Sequence, residues 1–315
     1  MDKTKVLLFG TGPMAYEYAK VLKAQGYKFI VVGRGQDSAT NFRKKTGITP
    51  FIGGAVKFLS TDSFSSYKAI VAVTGDQLGS VTISLIKHGI KSILVEKPGG
   101  LDQEEIQHVR NEAKRHAVEI FIAYNRRFYS SVITARGIIK EDGGILSYHF
   151  EFNEPGYKIA QLEDSIEIKN NWLLHNSSHV IDLAFFIENQ PKLMNSQISG
   201  SLSWHPAGAI FTGSGISKTN TPFTYHANWL TPGRWGLEFM TKNYRLIFRP
   251  MEKLHVQKND SFEIMEVKID DKLDRDFKPG LYKEVESFIN GQRDLCTIDE
   301  QFEHLKWYTK ILKGS

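Results

Sequence analysis

Short apolar runs alternate with helical patterns through the first 123 residues of the chain. Runs of three to five apolar residues are typical of strands buried on both faces of a parallel sheet. They lie at residues 6–9, 29–32, 69–73, 93–95 and 120–122. Helical periods separate them, and Asp102 followed by Glu105 has the spacing of a capping box. The pattern predicts a doubly wound α/β domain over residues 1–123.

The pattern changes after Tyr124. Stretches that alternate apolar and polar side chains favour a large, mostly antiparallel sheet with one wetter face. They lie at residues 145–152, 197–204, 224–230, 237–240, 244–248 and 262–269. Helical patterns occur at residues 131–139, 176–187, 281–289 and 299–312. We therefore predict an α+β domain over residues 124–315.

Composition and charge narrow the class of protein. The chain has 315 residues, of which 41% are hydrophobic, and its net charge of +5 is scattered rather than clustered. Scattered charge argues against nucleic-acid binding. The single cysteine, Cys296, excludes an internal disulfide and fits a reducing compartment. Since no apolar run approaches the roughly 20 residues of a membrane span and the N-terminus shows no signal-peptide pattern, we expect a cytoplasmic protein with no membrane contact.

A glycine motif follows the first predicted strand and opens the first helix. Its residues are Gly10, Thr11, Gly12, Pro13, Met14 and Ala15. This is the G-x-G-x-x-G/A fingerprint in its strand–turn–helix context, where free N–H groups at the helix start face a pyrophosphate. A glycine turn without a ligand is the alternative. The motif predicts a dinucleotide cofactor but no particular reaction.

The end of the second strand bears on the choice of cofactor. A chain that prefers NAD places a carboxylate there, whereas this one has Arg34, with Ser38 nearby and Asp37 too far along. A guanidinium pairs with a 2′-phosphate through two N–H groups, so the sequence favours NADP(H) over NAD(H). The alternative is a solvated loop charge. Thr74 and Gly75, after the fourth strand, are further candidate cofactor-binding residues.

Four motifs follow one another along the chain: the glycine fingerprint, Glu96-Lys97-Pro98, Tyr124-Asn125-Arg126-Arg127-Phe128 and His179-Val180-Ile181-Asp182. In this order they resemble the Gfo/Idh/MocA oxidoreductases. The resemblance implies a Rossmann domain joined to an open antiparallel sheet that often forms dimers or tetramers. It also implies hydride transfer between NAD(P) and a hydroxyl or keto carbon of a sugar, cyclitol or nucleotide-sugar.

The resemblance assigns roles at the predicted cofactor. Lys97 matches the family lysine that points at the reacting oxygen, and the Lys97–Pro98 bond is expected to be cis. An ammonium held near the nicotinamide polarises a carbonyl or shares a proton, so Lys97 is a candidate catalytic residue as well as a cofactor contact. Glu96 is expected to hold the cofactor ribose or the turn, and Asn125 to approach the nicotinamide.

The second candidate catalytic residue is His179. Family members often carry D-x-G-x-H-x-x-D here, whereas this chain has His175 and Ser177 in place of the acid and the glycine. The match makes His179 a general acid/base, His175 a residue that orients a substrate hydroxyl or binds an anionic group, and Asp182 an anchor. A structural histidine pair is the alternative; zinc needs a third ligand, so no metal site is predicted.

Candidate substrate residues complete the site: Trp172, His175, Asn176 and Arg126. Arg126 and Arg127 can hold an acidic group of the substrate or form an interdomain salt bridge. The other aromatic residues of the second half are typical of sheet packing. Two further functions fit the same motifs, a non-catalytic sensor of the dinucleotide and a hydrolase that uses NAD for transient oxidation.

Overall fold

The computed structural model describes residues 4–291 and 294–314, and the chain divides into two compact units. The first unit takes in the chain up to Asn125 together with Leu273–Phe302. The second takes in Arg126–Lys272 and the chain from Glu303 onward. Leu273–Phe302 comes from within the second of the two predicted domains, so the first unit is built from two separate stretches of sequence.

Strands and helices alternate through residues 4–125, as the apolar runs predict. The strands are β1 Lys5–Phe9, β2 Lys28–Gly33, β3 Phe51–Ile52, β4 Lys68–Val71, β5 Ser92–Glu96 and β6 Glu119–Ala123. The helices are α1 Pro13–Ala24, α2 Gln36–Thr46, α3 Gly54–Leu59, α4 Leu78–Lys87 and α5 Gln103–His116. At the start of α5, the Asp102 side chain accepts a hydrogen bond from the Glu105 N–H at 2.9 Å, as the capping spacing predicts.

The middle of the chain is rich in strands. Those of residues 126–272 are β7 Ser147–Phe152, β8 Pro191–Ser199, β9 Ile210–Ser217, β10 Pro222–Asn228, β11 Trp235–Met240, β12 Tyr244–Phe248, β13 His255–Lys258 and β14 Ile264–Glu266. The helices are α6 Ser130–Glu141, α7 Gly156–Ile159, α8 Ile166–Asn170 and α9 Ser178–Glu188, with a π-helical turn at Leu173–Ser177. The last elements are α10 Lys272–Asp276, α11 Leu281–Asn290, β15 Cys296–Thr297 and α12 Ile298–Lys313.

The described residues of the first unit form one sheet of seven strands. Its order is β15-β6-β5-β4-β1-β2-β3, parallel throughout except for β15, which pairs antiparallel with β6. The central strands are buried on both faces, which explains their continuous apolar runs. The order reverses beside β1, and the carboxyl ends of its parallel strands share one edge, where such sheets bind ligands.

The described residues of the second unit form an eight-stranded sheet in the order β14-β13-β12-β11-β7-β10-β9-β8. Only its β7–β10 pair is parallel. Side chains along β7 alternate, so Tyr148, Phe150 and Phe152 are buried while His149 and Glu151 are half-buried. Helix α9 packs against the buried face. Both the α/β and the antiparallel α+β predictions are confirmed.

Two elements of the structure have no clear hydrophobic period in the sequence. Helix α2 is one, because only Ala39 and Phe42 of its eleven residues are buried, too few to make an apolar period. Strand β9 is another, because Gly213 and Gly215 interrupt it. A Cβ on Gly213 would lie 2.4 Å from the ring of Tyr225, so glycine makes room there for an aromatic residue of β10.

The strand predicted at residues 197–204 is displaced, since β8 ends at Ser199. The chain turns at Gly200, whose φ is +67°. Trp204 lies beyond the strand and stacks on Trp229, with ring centroids 5.8 Å apart. Across the described residues, we find no helix that has both the length and the apolar character to cross a membrane.

Candidate functional site

The carboxyl edge of the first sheet collects the predicted cofactor residues. Each follows a parallel strand, so their order along the edge is that of the strands β6, β5, β4, β1 and β2. The residues in that order are Asn125, then Glu96 and Lys97, then Thr74 and Gly75, then Gly10, Thr11, Gly12, Pro13 and Met14, then Arg34 and Ser38. The structure therefore brings one group from five distant stretches of sequence to a single edge.

The turn between β1 and α1 suits a pyrophosphate. Gly10 has a φ of +124°, and a Cβ there would lie 2.1 Å from the carbonyl oxygen of Ala72, so only glycine fits. Around a Cβ on Gly12 there would be nothing within 4 Å. Gly12 is also the N-cap of α1 and provides no side-chain cap, with Pro13 in the first turn. An uncapped helix start beside open space fits the phosphates of a dinucleotide.

A cleft of about 270 Å³ opens beside this turn. Its lining includes Gly10, Arg34, Val56 and Gln77. Arg34 is exposed, and its guanidinium lies against the side-chain amide of Gln77. This cationic group stands at the end of β2, the position where a carboxylate marks NAD-preferring proteins.

Ser38 is tied into the neighbouring loops. Its hydroxyl accepts a hydrogen bond from the Thr11 hydroxyl at 3.0 Å and donates one to the Gly35 carbonyl at 3.1 Å. Thr74 precedes a short 3₁₀ turn at Gly75–Gln77. These contacts connect the loops that follow β1 and β2, so the shape of the cleft wall depends on both.

Lys97 lies in a tight turn after β5, and the turn is firmly held. The Lys97–Pro98 peptide bond is cis, as the resemblance predicts. The Gln301 amide donates to the Pro98 carbonyl at 3.0 Å, and the Tyr124 hydroxyl donates to Gln301 at 3.1 Å. The N–H of Gly99 closes the turn on the Glu96 carbonyl at 3.0 Å. Gln301 thus fixes the backbone that carries Lys97.

Glu96 is anchored on the inner side of the same turn. The Tyr18 hydroxyl donates to its carboxylate at 2.8 Å. Burial raises the pKa of Glu96, while the hydrogen bond from Tyr18 and the charges of Lys97 and Lys278 oppose the rise. Burial also raises the pKa of Tyr18, and the charges of Glu96 and Glu284 add to this. The hydrogen bond from Tyr18 therefore ties the end of β5 to α1 within the first unit.

Asn125 follows β6 and is buried. Its side-chain nitrogen donates to the Pro279 carbonyl at 2.8 Å. That contact ties the end of β6 to the loop before α11, within the first unit.

The centre of the second candidate site is a residue that the sequence reasoning missed, Glu154. Its side chain is only 3% exposed. Oε1 accepts hydrogen bonds from Asn176 at 3.1 Å, Ser177 at 2.8 Å and the indole of Trp235 at 3.3 Å. Oε2 accepts one from Asn176 at 3.0 Å. The β7–β11 register pairs Phe152 with Trp235, which explains how Glu154 and Trp235 meet.

Burial raises the pKa of Glu154 to about 7, and the hydrogen bonds that it accepts, that of Ser177 first, oppose this rise. A carboxyl with this pKa exchanges its proton near neutral pH. The same carboxyl is thus able to accept a hydrogen bond when ionised and to donate one when protonated.

The π-helical turn at Leu173–Ser177 explains why Asn176 and Ser177 reach Glu154. The predicted helix begins at Asn176, whereas the chain is already helical from Leu173 with a wider turn. Turns of this kind are rare in proteins overall, and those that occur are often found at functional sites. Asn176 and Ser177 both point their polar atoms at Glu154. His175, in the same turn, is buried.

Arg126 and His179 flank the same tryptophan. The Arg126 guanidinium lies 4.8 Å from the ring centroid of Trp235, and the imidazole of His179 lies 6.1 Å from it. Arg126, Glu154 and Trp235 all line a cavity of about 290 Å³. The second unit therefore places the predicted acid/base His179 beside a pocket that carries both a cation and an acid.

Asp182 is held by Arg127. The Arg127 Nε donates to Asp182 at 2.9 Å, and both side chains are almost fully buried. Both belong to the second unit. His304 lies 3.5 Å from the same carboxylate, and burial lowers its pKa to about 3. This cluster anchors α9, and with it His179.

Trp172 packs in an aromatic cluster, edge-on to Trp204 with centroids 6.1 Å apart. Its indole nitrogen is buried and has no hydrogen-bond partner among the residues that the structure describes. In sequence, Glu154 lies two residues after the end of β7 and directly before Pro155 and Gly156. A lone acid before a turn is a weak signal in sequence, and nothing local distinguishes it from a solvated one.

The raised pKa of Glu154 predicts how the free energy of unfolding depends on pH. The folded pKa lies above the unfolded one, so the fold prefers the protonated form and loses stability as pH rises from about 4.5 through 7. Glutamine does not titrate, so Glu154→Gln lacks this loss. As pH rises from about 5.5 to about 8.5, we expect the unfolding free energy of the variant to rise by about 2 kcal/mol relative to that of the native protein. Urea unfolding at the two pH values measures this. The exposed Glu263→Gln is the control, and an equal shift there contradicts the prediction.

The sheet order, the glycine turn and the uncapped α1 together define the first unit as a dinucleotide-binding Rossmann domain. Residues 4–124 match the family model GFO_IDH_MocA, described as an oxidoreductase family with an NAD-binding Rossmann fold. This match confirms, over residues 4–124, the resemblance to the Gfo/Idh/MocA oxidoreductases that the motifs indicate. No curated protein matches the chain in sequence.

Solved structures extend the likeness over both units. UDP-N-acetylglucosamine 3-dehydrogenase from Acidithiobacillus ferrooxidans is 14% identical, with a TM-score of 0.76, covering 99% of this chain and 97% of that one. A provisionally assigned NADPH-dependent oxidoreductase from Desulfitobacterium hafniense is 17% identical, with a TM-score of 0.81, covering 99% and 96%. Levoglucosan dehydrogenase with NADH and L-sorbose is 16% identical, with a TM-score of 0.75, covering 99% and 96%. At these identities the likeness establishes the fold.

Proposed function

We propose that the protein is an NADP(H)-dependent oxidoreductase that transfers a hydride between the nicotinamide and a hydroxyl or keto carbon of a sugar, cyclitol or nucleotide-sugar. One observation carries the proposal: the uncapped start of α1 at Gly12 and the turn that holds Lys97 lie on the same edge of the sheet. The family match supports redox chemistry. The names of two structural neighbours, both sugar dehydrogenases, support the substrate class.

Two residues would perform the proton and charge chemistry. When bound, the dinucleotide supplies the ring carbon that accepts or gives the hydride. The Lys97 ammonium would stabilise the negative charge that develops on the reacting oxygen. His179 would take the hydroxyl proton as the alcohol is oxidised and return it in the reverse direction. Because Arg127 and Asp182 anchor α9, the imidazole of His179 needs little reorganisation.

Arg34 would set the preference for NADP(H). We expect Arg34→Ala to weaken NADPH binding roughly 10- to 100-fold, because a charge-assisted hydrogen bond contributes about 1.5–3 kcal/mol. NADH lacks the 2′-phosphate, so its affinity should change by less than about twofold. Isothermal titration calorimetry measures both. Lys44→Ala, which removes an exposed charge from α2, is the matched control; equal losses for both dinucleotides would exclude Arg34 as the phosphate ligand.

The function itself is tested by binding and then by turnover. NADPH and NADH are titrated side by side, and ketosugars and nucleotide-ketosugars are then added to the NADPH complex. Loss of NADPH absorbance with one substrate supports the reductase. Tight binding without turnover of any substrate favours a sensor, and turnover in which the cofactor is regenerated in each cycle favours a hydrolase. If neither dinucleotide binds, the proposal fails.

We also propose that the open face of the second sheet mediates a homodimer or homotetramer. Leu193 and Ile216, paired across β8 and β9, are 53% and 38% exposed on that face. Exposed apolar side chains that line a shallow depression are typical of contact surfaces. Light scattering of the native protein and of Leu193→Asp tests this; a monomer in both contradicts it.

A further inference from the structure

The cavity beside Glu154 has the form of a ligand site built within the second unit. Its volume is about 290 Å³, close to the lower end of known small-molecule sites. Its charged lining consists of Arg126, Glu154, Arg234 and Glu252. Arg234 and Glu252 are exposed, whereas Arg126 is half-buried and Glu154 is buried. The two inner groups therefore dominate what the cavity recognises.

Glu154 is fixed in place but retains capacity to bind. Oε1 accepts three hydrogen bonds and Oε2 accepts one, from Asn176. Oε2 accepts fewer hydrogen bonds than Oε1, so it is the oxygen with capacity for a further donor. The buried indole N–H of Trp172 faces the same carboxyl and helps to oppose the rise of the Glu154 pKa. The binding capacity of this group is therefore that of an acceptor.

Arg126 is held in place without neutralisation. Its guanidinium lies on the ring of Trp235, and none of the ion pairs among the described residues includes it. Trp235 connects the two groups, because its face holds Arg126 while its Nε1 donates to Glu154. A half-buried guanidinium with no carboxylate partner is a site for an anion.

Arg126 and Glu154 together favour one class of substrate. A neutral sugar would leave Arg126 unpaired, and a phosphate dianion would be repelled by Glu154 and Glu252. A carboxylate monoanion matches the guanidinium in two parallel hydrogen bonds, and a hydroxyl next to it matches Oε2. We propose that Arg126 and Glu154 determine specificity for a polyhydroxylated carboxylic acid, with Arg126 binding the carboxylate and Glu154 a neighbouring hydroxyl.

This inference rests on the proposed function, which supplies the reaction. The ring centroids of Trp235 and His179 lie 6.1 Å apart, which connects the cavity to the proposed acid/base. A hydroxyl bound at Glu154 would lie in the same unit as the proposed acid/base. Glu154 and Arg126 are thus specificity-determining residues, while Trp235 is a positioning residue that acts through both of them.

The experiment is a binding comparison with matched ligand pairs. The full chain, saturated with NADPH, is titrated calorimetrically with D-gluconate against D-glucitol, methyl D-glucuronoside against methyl D-glucoside, and glucitol 6-phosphate. None of these compounds has a free aldehyde or ketone, so NADPH reduces none of them and none is oxidised. We expect at least one acid to bind roughly tenfold or more tightly than its neutral counterpart. Arg126→Met should abolish that preference and leave the affinity for the neutral sugar within about twofold.

Two further variants keep the result interpretable. Glu154→Gln should weaken both members of a pair, since each shares the hydroxyl, and Lys242→Met, at an exposed lysine of the same unit, should change neither. Circular dichroism checks that each variant is folded. Equal binding of acids and neutral sugars, a preference that survives Arg126→Met, tighter binding of the phosphate, or no binding of any compound would overturn the proposal.

Failure of the proposed function has a separate signature. NADPH binding is measured first, and the loss of NADPH absorbance is then followed after ketosugars are added, with none of the acids present. Acid selectivity without any hydride transfer would leave the subsite standing and remove the reductase. Hydride transfer to neutral ketosugars without acid selectivity would do the opposite.

Discussion

Lys97→Met should reduce kcat by about three orders of magnitude while NADPH affinity stays within roughly threefold. Methionine keeps the length of the side chain and removes the ammonium that would stabilise charge on the reacting oxygen. The turn itself should survive, because the Gln301 amide still donates to the Pro98 carbonyl and the Gly99 N–H still donates to the Glu96 carbonyl in the variant. Steady-state kinetics on the substrate found by the turnover screen measure the effect.

The control for Lys97 is Lys87→Met, an exposed lysine at the end of α4, which should leave kcat unchanged. Gln301→Leu adds an independent check on the turn. It removes the donor to Pro98 and should lower kcat less than Lys97→Met, with a partial loss because the ammonium is still present but misplaced. Full activity of Lys97→Met would contradict its catalytic role.

Asp182→Asn should destabilise the protein by about 3–5 kcal/mol, because the change leaves the buried guanidinium of Arg127 without its counter-charge. Arg127 is 2% exposed and Asp182 is 0% exposed, so water cannot replace the lost partner. The neighbouring His304 cannot compensate, because an imidazole carries no negative charge; burial lowers its pKa to about 3, so it is neutral here. Urea unfolding at neutral pH measures the loss.

The double variant Arg127→Met with Asp182→Leu distinguishes charge from packing. Removing both charges avoids an unpaired buried ion, so the double variant should be more stable than Asp182→Asn alone. A loss below about 1 kcal/mol for Asp182→Asn would mean that the pair is solvated in the folded protein, contrary to its burial.

The first unit was largely predictable because its signals are local. Buried parallel strands give continuous apolar runs, and the glycine motif and the Lys97–Pro98 turn each lie within a few consecutive residues. Helix α2 is not predicted because few of its side chains are apolar. Strand β9 is not predicted because glycines interrupt its apolar pattern. Their stability comes from neighbours in the fold and leaves little trace in the sequence.

The candidate site was predicted less completely than the fold. Gln301 lies 203 residues from Pro98, and Glu154 lies 22 residues from Asn176 and 81 from Trp235. Neither spacing follows a helical or strand period, so no local pattern connects the partners. The sequence did single out Arg126, Trp172 and Asn176, which surround Glu154, but it supplied no reason to place an acid among them.

The two-part origin of the first unit has a consequence for biosynthesis. Strand β15 covers the edge of β6, and α11 packs beside α1, yet both are translated only after the whole of β7 to β14. An N-terminal fragment ending at Asn125 would expose the β6 edge and leave Asn125 without the Pro279 carbonyl. The sheet of the Rossmann half is therefore completed only after Cys296–Thr297 has been made, and until then the edge of β6 is an unpaired strand edge open to association with other chains.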